Sequence, residues 1–398
     1  MRIGLYHNWE LRGSGSNEYS RYLAAALNQA GHEVHVICRE PEPERIDSIS
    51  RIVTWDLDGR PVSRRPGRKT TGAPLVLHVL PVGDVAPVYV TDKQREGPVK
   101  AFVHLSDAEL DGYLRSTTRV LAAILATTRL DVLHVNHVVP QPSVAADACR
   151  DLGIPFVIYP HGSAIEYAVR RDERYRRMAS DAIGRAAGLI IGSREVMNRL
   201  LELCPERRDR IASRTKIIGV GVDTSLFTPV ARGERETAVA RLIAKAPGGG
   251  KSGDLVDELR RRLDRGDLEA VRDYRDAYPH DLPDADVAAR LKRLPFSDGR
   301  ILLFVGALTV GKGLQRVIVA LPGILAEVPD AHLVIVGSGA YREVLEGLVH
   351  AIASGNEALL DALVAKGNDL DDTHLEGPWE AVAEYLSAPG NRRTVLSA

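Results

Sequence analysis

Cysteine is scarce in this 398-residue chain: Cys38, Cys149 and Cys204 are odd in number and far apart, with no Cys-x-x-Cys pair. That argues against a disulfide framework or a structural zinc site and fits a reducing compartment. Long apolar runs are missing as well; none reaches the ~20 residues needed to cross a bilayer. The N-terminus enters an apolar stretch almost at once, with no charged segment leading into a long apolar one. No signal peptide is therefore expected, and the cytoplasm is the expected location. Net charge is lacking too: 52 Lys and Arg against 53 Asp and Glu leave −1, with no bulk attraction to nucleic acid or an anionic membrane. One local basic run, Arg170-Arg171, Arg174 and Arg176-Arg177, reads as a solvated helix face. There is no internal repeat and no low-complexity tract.

What remains is an ordinary globular composition, 44% hydrophobic and 26% charged, in a chain long enough for two domains. Ile3-Gly4-Leu5-Tyr6 reads as a strand, followed by a Gly13-Ser14-Gly15-Ser16 turn. Tyr19, Tyr22, Leu23, Ala26 and Leu27 then recur at helical spacing up to Gly31, before a second strand over Val34–Cys38. Strand, glycine turn, helix, strand is a βαβ unit and implies a parallel sheet. Residues 41–100 are rich in Pro, Arg and Asp and predict peripheral strands and loops around Leu75-Val76-Leu77 and Val88-Tyr89-Val90. Alternation resumes with a helix over 113–128, strand 132–135, a helix over 144–152 and strand 156–159. Strands at 188–192 and 216–218 complete a doubly wound α/β domain over 1–228. Residues 229–298 show helical spacing and no strand, and predict a helical insertion. Over 299–398 the rhythm returns with Ile301–Gly306 and Leu333–Gly337, two strands being too few for a complete Rossmann domain.

In an open parallel sheet, ligands bind beyond the carboxyl ends of the strands. After the first strand come His7-Asn8-Trp9 and the loop carrying Gly15; loop amides and a helix N-terminus there suit an anion. Asn136 and His137 follow one later strand, and Pro160-His161-Gly162 follows another, with Glu166 one turn on. Two histidines at equivalent strand ends suit hydrogen bonding to a polyol or proton transfer near neutral pH. In the last region, Gly306 to Gly313 forms a glycine-punctuated βα loop whose Lys312 would place a point charge where a phosphate lies. Gly337-Ser338-Gly339 repeats the device. Gly248–Ser252 resembles a P-loop but has Lys245 where the motif needs glycine, and no strand precedes it.

Taken in order, these pieces resemble glycosyltransferase family 4, retaining enzymes of the GT-B fold with two Rossmann-like domains. Gly31-His32-Glu33-Val34, Pro160-His161-Gly162, Gly188 to Ser193, Gly219 to Asp223 with Phe227 and Pro229, the Gly306–Gly313 loop and Val336–Gly339 carry the likeness. The resemblance implies transfer of a sugar from a nucleotide-diphosphate donor with retention, to a carbohydrate or lipid-linked acceptor. It implies no metal, no cofactor and no nucleic acid; a peripheral membrane contact stays open. By position it assigns Gly15, Lys312 and Gly313 to the donor diphosphate, His161 to catalysis, and Asn136, His137 and Glu166 to the acceptor or sugar. The chain departs from the pattern at Ala307, where the family usually has an arginine. Glu376 and Glu384 match the family's glutamate spacing but lack its Pro-Glu-x-Phe-Gly context, so the C-terminal domain is expected to be incomplete and activity correspondingly reduced. The alternative keeps the fold and drops turnover, giving a non-catalytic binding protein. A dinucleotide-dependent oxidoreductase is disfavoured because the first turn lacks Gly-x-Gly-x-x-Gly spacing.

Overall fold

A computed structural model describes residues 1–89, 99–280, 282–370 and 376–397; of the expected Val88–Val90 piece, Val90 lies outside them. The chain divides into two compact units, Met1–Val222 and Asp223–Ala398.

The first unit is built on β1 (Arg2–Tyr6), β2 (Glu33–Cys38), β3 (Arg51–Trp55), β4 (Pro61–Pro66) and β5 (Leu75–Val79). A small parallel pair, β6 (Ala86–Val88) and β7 (Val99–Ala101), precedes β8 (Val132–Asn136), β9 (Phe156–Tyr159), β10 (Gly188–Ile191) and β11 (Thr215–Ile217). Nine of these strands form one sheet in the order β11-β10-β9-β8-β1-β2-β5-β3-β4. Every pairing in it is parallel except β3 with β4. The region expected to be peripheral therefore supplies an interior strand: β5 pairs with both β2 and β3 and is buried along most of its length.

Helices cover both faces. They are α1 (Gly15–Gln29), α2 (Asp107–Thr128), α3 (Gln141–Ala148), the single turn α4 (Gly162–Ala164), α5 (Glu173–Arg185), α6 (Arg194–Leu203) and α7 (Arg208–Arg214). Strand alternation sends Ile3, Leu5, Val34 and Val36 into a core with Ala24 of α1. Tyr6, Ile37, Leu133 and Val135 face a larger core with α2, α3 and α5. Ser14 caps α1, and Ser106 with Glu109 makes a capping box on α2, which fixes where each helix starts. Cys38, Cys149 and Cys204 are free and buried.

The second unit opens with four helices, α8 (Arg235–Lys245), α9 (Gly253–Leu263), α10 (Ala270–Arg275) and α11 (Val287–Lys292). Strand β12 (Arg300–Val305), α12 (Leu314–Glu327) and parallel β13 (Ala331–Val336) follow. Then come α13 (Arg342–Ala353), α14 (Glu357–Lys366), α15 (Glu380–Ser387) and α16 (Asn391–Leu396). Leu259, Leu263, Ala270 and Val271 of the helical segment share one core with Leu308, Leu314, Ile318 and Val344. One face of β12–β13 is open, and Leu303 and Val305 are 64% and 69% exposed. Among the described residues no helix is long and apolar enough to cross a membrane.

Candidate active site at the strand ends

The large sheet grows outward in two directions, from β1 to β2 on one side and from β8 through β11 on the other. Where the winding reverses, loops after neighbouring strands leave on opposite faces and a crevice opens beyond their carboxyl ends. β1 delivers His7 and Asn8 to that point, β8 delivers Asn136 and His137, and β9 delivers His161. Asn8 (φ 66°) and His137 (φ 68°) are left-handed, which costs a non-glycine residue about 1–2 kcal/mol. Their surroundings hold them there. The amides of His7 and Asn8 both donate to Ile37 O, at 3.0 and 3.3 Å, and Asn8 Nδ2 donates to the Tyr113 hydroxyl. The His137 ring packs on His7, Tyr89 and His161, with centroids at 5.6, 4.8 and 4.7 Å. Strain of this kind gathers at working sites.

Hydrogen bonds tie the crevice together. His161 Nε2 lies 2.9 Å from Asn136 Oδ1, and His7 Nε2 lies 2.9 Å from Asn17 Oδ1 in the first turn of α1. Tyr19, on the same turn, stacks on Tyr159 at 4.2 Å and meets the edge of His161 at 5.5 Å. Yet Asn136 Nδ2, His137 Nδ1 and Nε2, His134 Nε2 and Gln141 Nε2 are buried with no hydrogen-bond partner among the described residues. Folded chains leave few buried polar atoms unpaired. Several at neighbouring strand ends make this region the candidate site.

Burial also decides the charge. Desolvation drives His7 and His134 down to about 4 and His161 to about 3, and it holds His137 well below its ordinary value; neighbouring rings add to the effect at His134, His137 and His161, while the hydrogen bond to Asn17 works against it at His7. All four are neutral at pH 7. With Nε2–H given to Asn136, His161 carries its lone pair on Nδ1. A base this weak abstracts protons poorly at neutral pH, so the arrangement suits orienting hydroxyls and sharing hydrogen bonds.

Asn136, His137 and His161 are thus brought together. Glu166 sits in a π turn over Ile165–Val169, and its carboxylate bonds Arg199 Nη1 at 2.9 Å and Arg170 Nε at 3.2 Å. Gly15 is the first residue of α1; its φ is not positive, and a Cβ there would meet no atom within 4 Å. Gly162 is open in the same way. In the second unit, Lys312 ends a 3-10 turn over Val310–Lys312, is exposed, and makes no ion pair among the described residues. Gly313 (φ 71°) caps α12. Gly337 and Gly339 have a reason of their own, since a Cβ on either would overlap backbone of Gly306 or Leu308. Lys251 of the P-loop look-alike is fully buried against Glu343 (2.9 Å) and Glu346 (2.6 Å), closed to phosphate. Glu376 and Glu384 are both exposed, while Trp379 between them packs on Gly367. Asn17, Tyr19, His134 and Tyr159 were not singled out from sequence. The first two lie one turn past the glycine loop, the signal that could have found them. Among the described residues no group of three His, Cys, Asp or Glu could hold a metal ion.

The family model for Glycosyltransferase Family 4 matches residues 13–226, more than half of the chain and most of the crevice. This chain belongs to glycosyltransferase family 4. A second model, Glycosyl transferases group 1, matches residues 288–358 of this family 4 protein, which include Lys312. Among solved structures it is similar to a sucrose-phosphate synthase from Thermosynechococcus elongatus, at 18% identity and TM-score 0.45, over 87% of this chain and 67% of that one. A trehalose-6-phosphate phosphatase N-terminal domain from Candida albicans matches at 12% identity and TM-score 0.45, over 90% and 69%. An E. coli structure, trehalose-6-phosphate bound with UDP-2-fluoro glucose, matches at 12% identity and TM-score 0.44, over 89% and 70%. The chain thus spans about two thirds of the length of each. No curated protein sequence matches it. The fold class is α/β, of the GT-B kind.

Proposed function

We propose that this protein transfers a sugar, with retention of anomeric configuration, from a nucleotide-diphosphate donor to a carbohydrate or lipid-linked acceptor in the cytoplasm. The observation that carries the reading is the crevice at the winding reversal of a family 4 fold, where unpaired buried amide and imidazole atoms await hydroxyls. On this reading His161, oriented by Asn136, touches the reacting sugar, and His137 takes a neighbouring hydroxyl. Glu166, steered by its two arginines, accepts another. Lys312 and Gly313 meet the donor diphosphate, and the lysine stabilises the charge that develops on the leaving group. Gly15 supports this assignment, because neither its backbone nor its neighbours require glycine and close ligand approach would. The groups around His161 are neutral amides and imidazoles, and the one carboxylate assigned to the site, Glu166, is held by two arginines, which favours holding substrate over forming a glycosyl–carboxylate intermediate. No metal or cofactor enters the proposal.

Ala307, in place of the family's arginine, favours a second reading in which the fold binds without turnover. Calorimetric titration with UDP-, GDP- and ADP-sugars, on the native chain and on Lys312→Ala, tests the first. One donor is expected to bind in the micromolar to millimolar range, with the variant weaker by about ten- to hundredfold, the worth of a charge-assisted hydrogen bond. No binding at millimolar donor would end the catalytic reading. Binding without transfer to any acceptor would favour the second.

A further inference from the structure

One polar group of the first unit is left out of this chemistry. Arg39 follows β2 directly, its amide bonded to Trp9 O at 3.1 Å. Its side chain turns into a cavity of about 250 Å³ between the ends of β2 and β5 and the N-terminal half of α2, alongside Tyr113, Ser116 and Thr117. The guanidinium lies over the Tyr113 ring, 5.7 Å from its centroid. Arginine stays charged in any protein environment. Here Nε and Nη1 are buried with no hydrogen-bond partner among the described residues, and no ion pair to Arg39 is found there.

The nearby carboxylates do not compensate it. Glu40, next in sequence, is buried and spends its oxygens on the amides of Leu11 (2.8 Å) and Glu42 (3.2 Å). Glu109 on the cavity wall is held by Lys100 at 2.8 Å and by the α2 cap. Asp84, also on the wall, is exposed, and no ion pair between it and Arg39 is found among the described residues. Arg39 as a whole is half-buried, and enclosing part of a cation without a counter-charge is costly. A planar fork of donors in the wall of a cavity is a fitting receptor for a carboxylate or phosphate. The cavity is at or below the small end of ligand pockets, room for one headgroup rather than a nucleotide. A hydrogen bond links its wall to the histidine crevice: Tyr113, beside Arg39, accepts from Asn8, the neighbour of His7.

We infer that this cavity is an anion subsite in which Arg39 anchors a carboxylate or phosphate carried by the acceptor. The anion site stands on the geometry alone; assigning the anion to an acceptor rests on the glycosyltransferase reading. Affinities for glucose, glucose 6-phosphate, glucuronate and inorganic phosphate should be measured by titration on the native chain and on Arg39→Met, with a UDP-sugar titrated in parallel. At least one anionic probe is expected to bind about ten- to hundredfold more tightly than glucose, and Arg39→Met is expected to erase that difference. Which of glucose 6-phosphate and glucuronate gains more identifies the anion as phosphate or carboxylate. Phosphate is expected to raise the Tm of the native chain and not of the variant, whose own Tm should match or exceed the native value because a half-buried guanidinium without a counter-charge is gone. If Arg39→Met does not fold, Arg39→Lys keeps the charge without the fork and should lose about tenfold of the anion preference. Equal binding of glucose and its anionic relatives, no binding of any probe, or an unchanged preference in the variants overturns the inference. Loss of UDP-sugar binding with the anion preference intact would remove the transferase reading and leave the subsite.

Discussion

Glycine at 15, 313 and 337 serves three different ends, and alanine at each position separates them. Gly313 sits at φ 71°, so alanine there is expected to cost about 1–2 kcal/mol through its backbone. Gly337→Ala would push a methyl group into the Gly306 carbonyl and is expected to cost about 1–3 kcal/mol by overpacking. Gly15 has open space and an ordinary φ. Gly15→Ala should therefore leave stability unchanged or raise it by up to about 1 kcal/mol, through a stiffer unfolded chain. Under the donor assignment the same methyl group would stand where the diphosphate approaches, weakening donor binding tenfold or more. Urea melts and donor titration of the three variants measure both quantities. Unchanged donor affinity in Gly15→Ala would remove that glycine from the site.

At the level of elements, apolar runs made the first strands readable, while patterning failed where strands carry few apolar residues. β1, β2, β8 and β9 are buried on both faces over most of their length and β10 is half-buried on one, so each reads as a short continuous apolar stretch. β4 is Pro-Val-Ser-Arg-Arg-Pro, almost wholly exposed, and pairs only with β3 at the sheet edge; nothing in its composition separates it from a loop. The interior place of β5 was hidden for another reason: it is apolar enough to read as a strand, but its neighbour β3 lies in a region rich in proline and arginine, and only the fold shows that the two pair. In the crevice, Asn136, His137 and His161 were legible because strand ends are where a wound sheet gathers ligands. The arginines holding Glu166 were not, since Arg199 lies on α6, 33 residues away in sequence, and only the fold brings it near. The two-stranded β12–β13 sheet leaves an apolar face exposed. Leu303→Lys and Val305→Lys should change stability by no more than ~0.5 kcal/mol, as for exposed positions generally, and reduce self-association by light scattering. A large loss of stability would mean that this face is packed in solution.

For the whole molecule, the cores divide as the units do. The two apolar clusters flanking the nine-stranded sheet fall within Met1–Val222, and the third falls within Asp223–Ala398. Residues 1–222 are therefore expected to fold by themselves, and they contain every histidine whose basicity is clearly depressed. These include His7 and His134 at about 4, His161 and His78 at about 3, and His137 and His35, also lowered, all chiefly by burial. His78 is held by Trp55 Nε1 on one nitrogen and by His35 on the other, at 3.1 and 3.0 Å. In the unfolded chain these rings titrate near 6.5. As pH falls below that value the unfolded state takes up protons that the folded state refuses. The stability tied to neutral rings is thus complete above pH ~6.5 and drains away as pH falls towards 3–4. Each histidine can contribute up to ~1.4 kcal/mol per pH unit in that window. The urea midpoint of the 1–222 fragment should accordingly be level from pH 7 to 8 and fall steeply between pH 6.5 and 4. A midpoint that stays level down to pH 5 would mean that the rings are protonated or solvated in the folded state, and the neutral crevice on which the sugar-binding proposal is built would be lost with it.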